Sequence, residues 1–363
     1  MRLSDLVKGG GQEPEPSRRD KGEARRLSDL VRKGASPEGG LPVVPGAAPE
    51  GASGGSGVLG QKEATKGGPP PGDLDAANQA LQRAAHILDE ILEAVRTRSS
   101  FSILDARQAV EVLLECMNAG DALLVPFFSG GGPPPSLARE VANVCILSLK
   151  MGMELGYAAD ARRRLGLVAL LADVGKVHVP AQVVGKQGPL TPGERAVVEE
   201  HQREGAKLLQ KLGPEYQWLA LAVEKRYARA AGARQPENEG EEFAAIVHLA
   251  DVYESLVHHR PFRERVGIFE ALKEIFQSQR TTFPDRILKA LIRTLSTLPV
   301  GSLVRLNTGE IGRVVGKNRN LPLRPVVELL VRRGKRLDSP VVIDLSQSPL
   351  HHIQDAVLYE ALQ

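Results

Sequence analysis

For 72 residues this chain offers almost nothing to bury, and from Asp73 onward its apolar residues fall into a helical period; that contrast limits most of what it can fold into. Residues 1–72 are dominated by Gly, Pro, Ser, Glu and Lys and contain no Phe, Tyr or Trp. Such a segment cannot bury enough apolar surface to offset the entropy of ordering it, so a disordered tail is expected. Beyond it, Leu74, Ala77, Leu81, Ala85, Leu88, Leu92 and Val95 recur at helical spacing behind Asp73 or Asp75 as a cap. A second amphipathic helix is expected from about Ile103 to Met117. The run SGGGPPPS at 129–136 breaks the chain, a helix resumes near Leu137, and helical periodicity continues with interruptions to about Leu298. The pattern then changes to alternation. Residues 300–318 alternate around Asn307-Thr308-Gly309, a hairpin signal, and the stretches RPVVELLVRRGKRL and PVVIDL read as two or three more strands. The expected fold is mainly α: a disordered tail at 1–72, N-terminal helices at 73–130, a helical domain at 136–297, a small β unit at 298–347 and a C-terminal tail at 348–363.

Charge and cysteine usage narrow the function classes. Lys and Arg number 47 against 44 Asp and Glu, a formal net charge of +3, so no polyelectrolyte character points to nucleic acid or to a membrane surface. The basic cluster Arg332, Arg333, Lys335 and Arg336 around Gly334 reads as a solvated hairpin tip. Cys116 and Cys145 sit apart in apolar helical segments, form no Cys-x-x-Cys pair, and are expected to be core thiols. The N-terminal MRLSDLVKGG lacks the apolar core of a secretory signal, and no stretch of about 18 apolar residues follows anywhere, so a cytoplasmic protein is expected. One feature of the tail repeats: RLSDLV at Arg2–Val7 and again at Arg26–Val31. Each copy places three apolar side chains on one face of a helical turn, as a short docking motif for a protein partner would, with avidity from repetition. A neutral duplication within a disordered tail explains the repeat equally well.

The chemistry centres on LLADVGKVHVP, Leu170–Pro180. In the HD superfamily of metal-dependent phosphohydrolases this position carries His-Asp-x-Gly-Lys, and here it reads Ala172-Asp173-Val174-Gly175-Lys176. The surrounding segments resemble the HD-GYP family of bacterial cyclic di-GMP phosphodiesterases in their order. Glu140-Val141-Ala142-Asn143-Val144 stands where that family has His-x-x-Asn-Val. The run from Val177 to Leu209 is similar to its proline turn and the helix bearing His201, and Leu249–Phe262 to its Ala-Asp-x-Tyr-Asp and Arg-Pro segment. The resemblance covers residues 136–297 and implies an HD-domain-like helical bundle.

Carried over position by position, the resemblance implies that Asp173, His201 and Asp251 are metal ligands, with Glu140 as an oxygen donor in place of a histidine. It implies phosphate-facing roles for Lys176 and Arg260. The departures are equally specific. Ala172 binds nothing, Val223 and Glu224 stand where two histidines belong, and the Gly-Tyr-Pro signature is absent between Ala220 and Ala245. The remaining donors suit one hard cation, Mg²⁺, Mn²⁺ or Fe²⁺, or none. Two readings follow: a degenerate HD-GYP-like signalling protein that binds a cyclic dinucleotide and engages a partner without efficient hydrolysis, or a metal-dependent phosphohydrolase with a reduced ligand set, in which Asp173 and Lys176 carry catalysis. Whether the chain is an enzyme stays open at this point.

Overall fold

The computed structural model of this chain describes residues 71–128, 136–184, 186, 191–226, 235–258, 265–295, 298, 300–318, 321 and 323–357. Both RLSDLV copies and Arg260 lie outside those residues. The expectation of a helical body followed by a small sheet holds. Helix α1 runs Pro71–Arg96, α2 Ile103–Ala119, α3 Leu124–Phe128, α4 Leu137–Glu154 and α5 Ala159–Leu171. A 3-10 turn, Val174–His178, leads to α6 (Ala181–Val184), α7 (Pro192–Gln210), α8 (Gln217–Lys225), α9 (Glu239–Val257), α10 (Ile268–Ser278) and α11 (Asp285–Leu295). Because α1 begins at Pro71, Asp73 stands in its first turn and not at its cap.

Two helices form the centre. In α9 every residue from Phe243 to Val257 is buried, including His248, Asp251 and Glu254. In α4, 12 of 18 residues are buried and none is fully exposed, behind a Ser136 cap whose hydroxyl accepts from the Arg139 amide. A helix that is apolar all round has no solvent face to keep, so it must be surrounded. Accordingly α4 packs against α1, α5, α9 and α11, while α9 also meets α8 and α10. Full burial of side chains such as Phe127, Phe243 and Leu113 contributes roughly 1.5–3 kcal/mol each.

The connection from α5 to α7 positions the polar residues of the interior. Thr191 caps α7 in a capping box with Glu194, and Pro192 occupies the first helical position. The 3-10 turn lies directly on α7. A Cβ at Gly175 would come within 1.9 Å of the His201 carbonyl oxygen and 2.8 Å of the Gly205 amide nitrogen, so only glycine permits this approach. The contact places Asp173, just before the turn, beside the His201 side chain.

The C-terminal unit is one five-stranded antiparallel sheet in the order β4-β3-β2-β1-β5, with β1 Leu303–Leu306, β2 Ile311–Gly316, β3 Val326–Arg332, β4 Lys335–Asp344 and β5 Ile353–Val357. The expected turn at 307–309 joins β1 to β2, with Gly309 at φ +91°. Arg333 and Gly334, both at positive φ, join β3 to β4, and the basic residues at that tip are exposed. The sheet passes its expected limit at 347. Residues 353–357 form β5 because Ile353 and Ala356 are apolar, buried and paired with β1. Two links tie β5 to the helical body: a two-pronged pair of Arg265 with Asp355, at 2.9 and 3.1 Å, and His352 with Glu270 on α10 at 2.7 Å.

Gly175→Ala should lower the stability of the chain by more than about 3 kcal/mol, the upper end of ordinary overpacking, because the obstruction is backbone. Gly193→Ala, where an added Cβ meets nothing within 4 Å, serves as the control. Urea unfolding of the two variants beside the parent checks this, and equal midpoints for both would contradict it.

Candidate functional site

The buried polar residues of the interior gather around Arg226. In α8 the buried positions Leu219, Ala220, Ala222 and Val223 define one face, and the next residue on that stripe is Arg226, which caps the helix and is 1% exposed. Its Nη1 donates to Asp173 Oδ1 at 2.9 Å. Its Nη2 lies 2.7 Å from Asp251 Oδ2, an ion pair across to α9. The second oxygen of Asp173 accepts from Lys176 Nζ at 2.9 Å. His201 Nε2 stands 3.5 Å from the same Asp173 Oδ1 that Arg226 engages.

Within this cluster the formal charges cancel, with two carboxylates against one guanidinium and one ammonium. Burial alone raises the pKa of Asp173, but Arg226, Lys176 and His201 outweigh it and hold the carboxyl well below the usual carboxylate range. For His201, burial dominates and lowers the imidazole pKa despite the neighbouring Asp173. Its Nδ1 faces the Val198 carbonyl and its Nε2 stands on the Asp173 side, so each ring nitrogen meets an acceptor. His248, one turn before Asp251, is buried with its ring edge-on to Phe283; burial and then the Arg226 charge push it down to about 3.

A second polar group joins α4 to α9. Asn143 Nδ2 donates to the buried Glu254 at 3.4 Å, and the same carboxylate lies 3.6 Å from His258 Nδ1. His258 also places Nε2 2.9 Å from the Phe127 carbonyl of α3, so it fastens the end of α9 to the core.

The structure thus brings Asp173, His201, Asp251 and Lys176 into one neighbourhood. Glu140 lies half-buried in the first turn of α4, one turn before Asn143. Ala172 and Val223 fill their places with buried apolar side chains, and Glu224 is turned to solvent, so it supplies no oxygen to the centre. Lys176, expected to face phosphate, points its nitrogen at Asp173 instead, because a buried carboxylate holds it there. Arg226 is the residue that motif reading misses. The signal that could have found it is the buried stripe of α8 at three- and four-residue spacing.

The resemblance to metal-dependent phosphohydrolases makes these side chains candidate ligands for a divalent cation. The interval between the two carboxylates is spanned by a guanidinium, which has five donors and no acceptor. Among the described residues, no three His, Cys, Asp or Glu side chains come together as metal ligands. A divalent cation does not fit this arrangement while Arg226 holds it.

The pH dependence of stability follows from the depressed groups. Below pH ~6.5 the unfolded chain protonates histidines that the folded centre keeps neutral, so stability is full above that pH and falls as acid is added, by up to about 1.4 kcal/mol per unit for each such group. Asp173 adds its own loss only below the ordinary carboxylate range, at pH ~4 and under. Urea midpoints at pH 7 and pH 5 should therefore differ, and His248→Gln should reduce the difference; identical midpoints for the parent chain would contradict the assignment.

Comparison with known proteins agrees with this architecture. An HD domain family model matches residues 133–287, and a model described as the KOW domain associated with HD domain matches 303–363. The cyclic di-GMP phosphodiesterase PA4108 of Pseudomonas aeruginosa is 28% identical over 213 residues, 56% of this chain and 50% of its own length. The cyclic di-GMP phosphodiesterase response regulator RpfG of Xanthomonas campestris pv. campestris is 31% identical over 147 residues, 39% of this chain and 38% of its own. The 3'3'-cGAMP-specific phosphodiesterase 3 of Vibrio cholerae is 24% identical over 234 residues, 60% and 50%. The chain spans about half or less of the length of these relatives. No helix among the described residues is long and apolar enough to cross a membrane. Residues 133–287 are an HD domain, homologous to the HD domains of the HD-GYP cyclic di-GMP phosphodiesterases.

Proposed function

We propose that this chain is a degenerate HD-GYP-like signalling protein that acts by binding and not by turnover, with a cyclic dinucleotide as its ligand and a protein partner engaged through the two RLSDLV copies. The observation that carries the reading is Arg226 bridging Asp173 and Asp251. Two-metal phosphoryl hydrolysis needs a pair of cations about 3.5–4 Å apart, with a bridging carboxylate and open positions for water. Here Asp173 is spent on Arg226 and Lys176, and Ala172, Val223 and Glu224 supply no further donor. A guanidinium neither lowers the pKa of a bound water nor opens a coordination site, so the centre has no means of generating hydroxide.

The ligand class rests on the relatives, whose names specify cyclic di-GMP and 3'3'-cGAMP. With Lys176 held inward, phosphate recognition falls to residues outside the cluster, Arg260 first among them. The tail repeat supports a partner in a simpler way, since two copies of one apolar turn on a Gly- and Pro-rich spacer raise avidity without any new contact.

The purified chain, assayed with Mg²⁺, Mn²⁺ and Fe²⁺ in turn, should hydrolyse cyclic di-GMP at less than about 1% of the rate of a complete family member, since losing even an outer partner of a metal ligand costs 10- to 100-fold. Equilibrium dialysis with cyclic di-GMP and 3'3'-cGAMP should show saturable binding that Arg260→Ala weakens. Robust turnover abolished by Asp173→Ala would establish the hydrolase reading instead.

A further inference from the structure

We propose that Arg226 is the resident cation of this HD domain, occupying in covalent form the place of a divalent ion, and that Asp173, His201 and Asp251 make a latent metal site which its removal uncovers. The inference concerns the same cluster as the functional reading but stands apart from the nucleotide, so either can fail alone.

Three observations carry it. The guanidinium contacts one oxygen from each of two buried carboxylates, at 2.9 and 2.7 Å, on residues 78 positions apart in the chain. His201 has the placement of a histidine that ligates through Nε2, with its Nδ1 on a backbone carbonyl and its Nε2 3.5 Å from the Asp173 oxygen that Arg226 holds. All four side chains are buried, so whatever balances the carboxylates must itself be inside, and bulk counter-ions cannot take over. The positions that would complete a binuclear centre, Ala172 and Val223, are apolar and packed, so the latent site takes one ion and not two.

An arginine in that place is not equivalent to a bound ion. It cannot be removed by a chelator, it links α8 to the α5 end and to α9 by its own backbone, and it makes the folded state independent of metal supply. Bridging through two different nitrogens also sets the carboxylates wider than a single ion would, so their side chains must close when the guanidinium is withdrawn.

The test compares the full chain with Arg226→Ala and Arg226→Lys, using Mn²⁺ alone as the probe. After dialysis against Mn²⁺, the parent chain and Arg226→Lys should carry essentially no manganese and show no shift in Tm, whereas Arg226→Ala should take up ~1 Mn²⁺ per chain and regain stability as Mn²⁺ is added. Adding Asp173→Asn to Arg226→Ala should abolish the uptake. Stoichiometric Mn²⁺ on the parent chain that Asp173→Asn removes would overturn the proposal, and so would a folded Arg226→Ala that ignores Mn²⁺. Should Arg226→Ala fail to fold, the proposal requires that Asp173→Asn and Asp251→Asn together restore folding, since they delete the charge the guanidinium balanced. A triple variant no better than the single one would overturn it.

Discussion

The charged cluster at the centre of this interior depends on a single guanidinium held between two buried carboxylates. Transferring an ion of this size from water to a dry interior costs several kcal/mol even after relaxation, and the attraction between partners offsets that only with good geometry. Arg226 supplies the geometry by using two separate nitrogens, and Lys176 covers the remaining oxygen of Asp173. The end of α5, the last turn of α8 and the middle of α9 are thereby fixed to one another. Replacing such a group with well-packed apolar side chains is often neutral, but deleting one partner leaves an uncompensated charge, so the cluster keeps or loses its members together.

That arrangement gives the HD scaffold a different chemistry. A divalent ion accepts electron pairs and leaves positions open, so it can hold water and substrate oxygen at once. A guanidinium only donates, and its donors here face carboxylates. Around it the histidines are kept neutral by burial, and the formal charges balance without any ion from solution.

The helical body was legible in the sequence because α1 and α2 repeat their apolar residues at helical spacing. The neighbourhood of Asp173, His201 and Asp251 was legible only through the resemblance, since no local pattern says that residues 28 and 78 positions apart will meet. Arg226 escaped because charged residues at helix ends are normally solvated, and only extrapolating the buried face of α8 by one more turn would have brought it inside. The pairing of Lys176 with Asp173 was not legible either, because a motif names the lysine without naming the buried carboxylate beside it. The β unit was recognised from its turns, but β5 was taken for a tail: five residues with Gln354 and Asp355 among them carry little strand signal. Pairing with β1 and the Arg265 link decide its state from outside.

The placement of β5 makes the order of the chain matter for its solubility. β1 lies second from the edge, shielded on one side by β2 and on the other by β5, which α3 and α10 cover in turn. While a ribosome still holds residues 353–357, β1 presents open amides and carbonyls along Leu303–Leu306, next to a helical surface that lacks its Asp355 partner for Arg265. An unpaired apolar strand of this kind is a template for another chain. β1 is therefore protected against intermolecular pairing only when β5 arrives, and the helical body is the surface against which β5 packs.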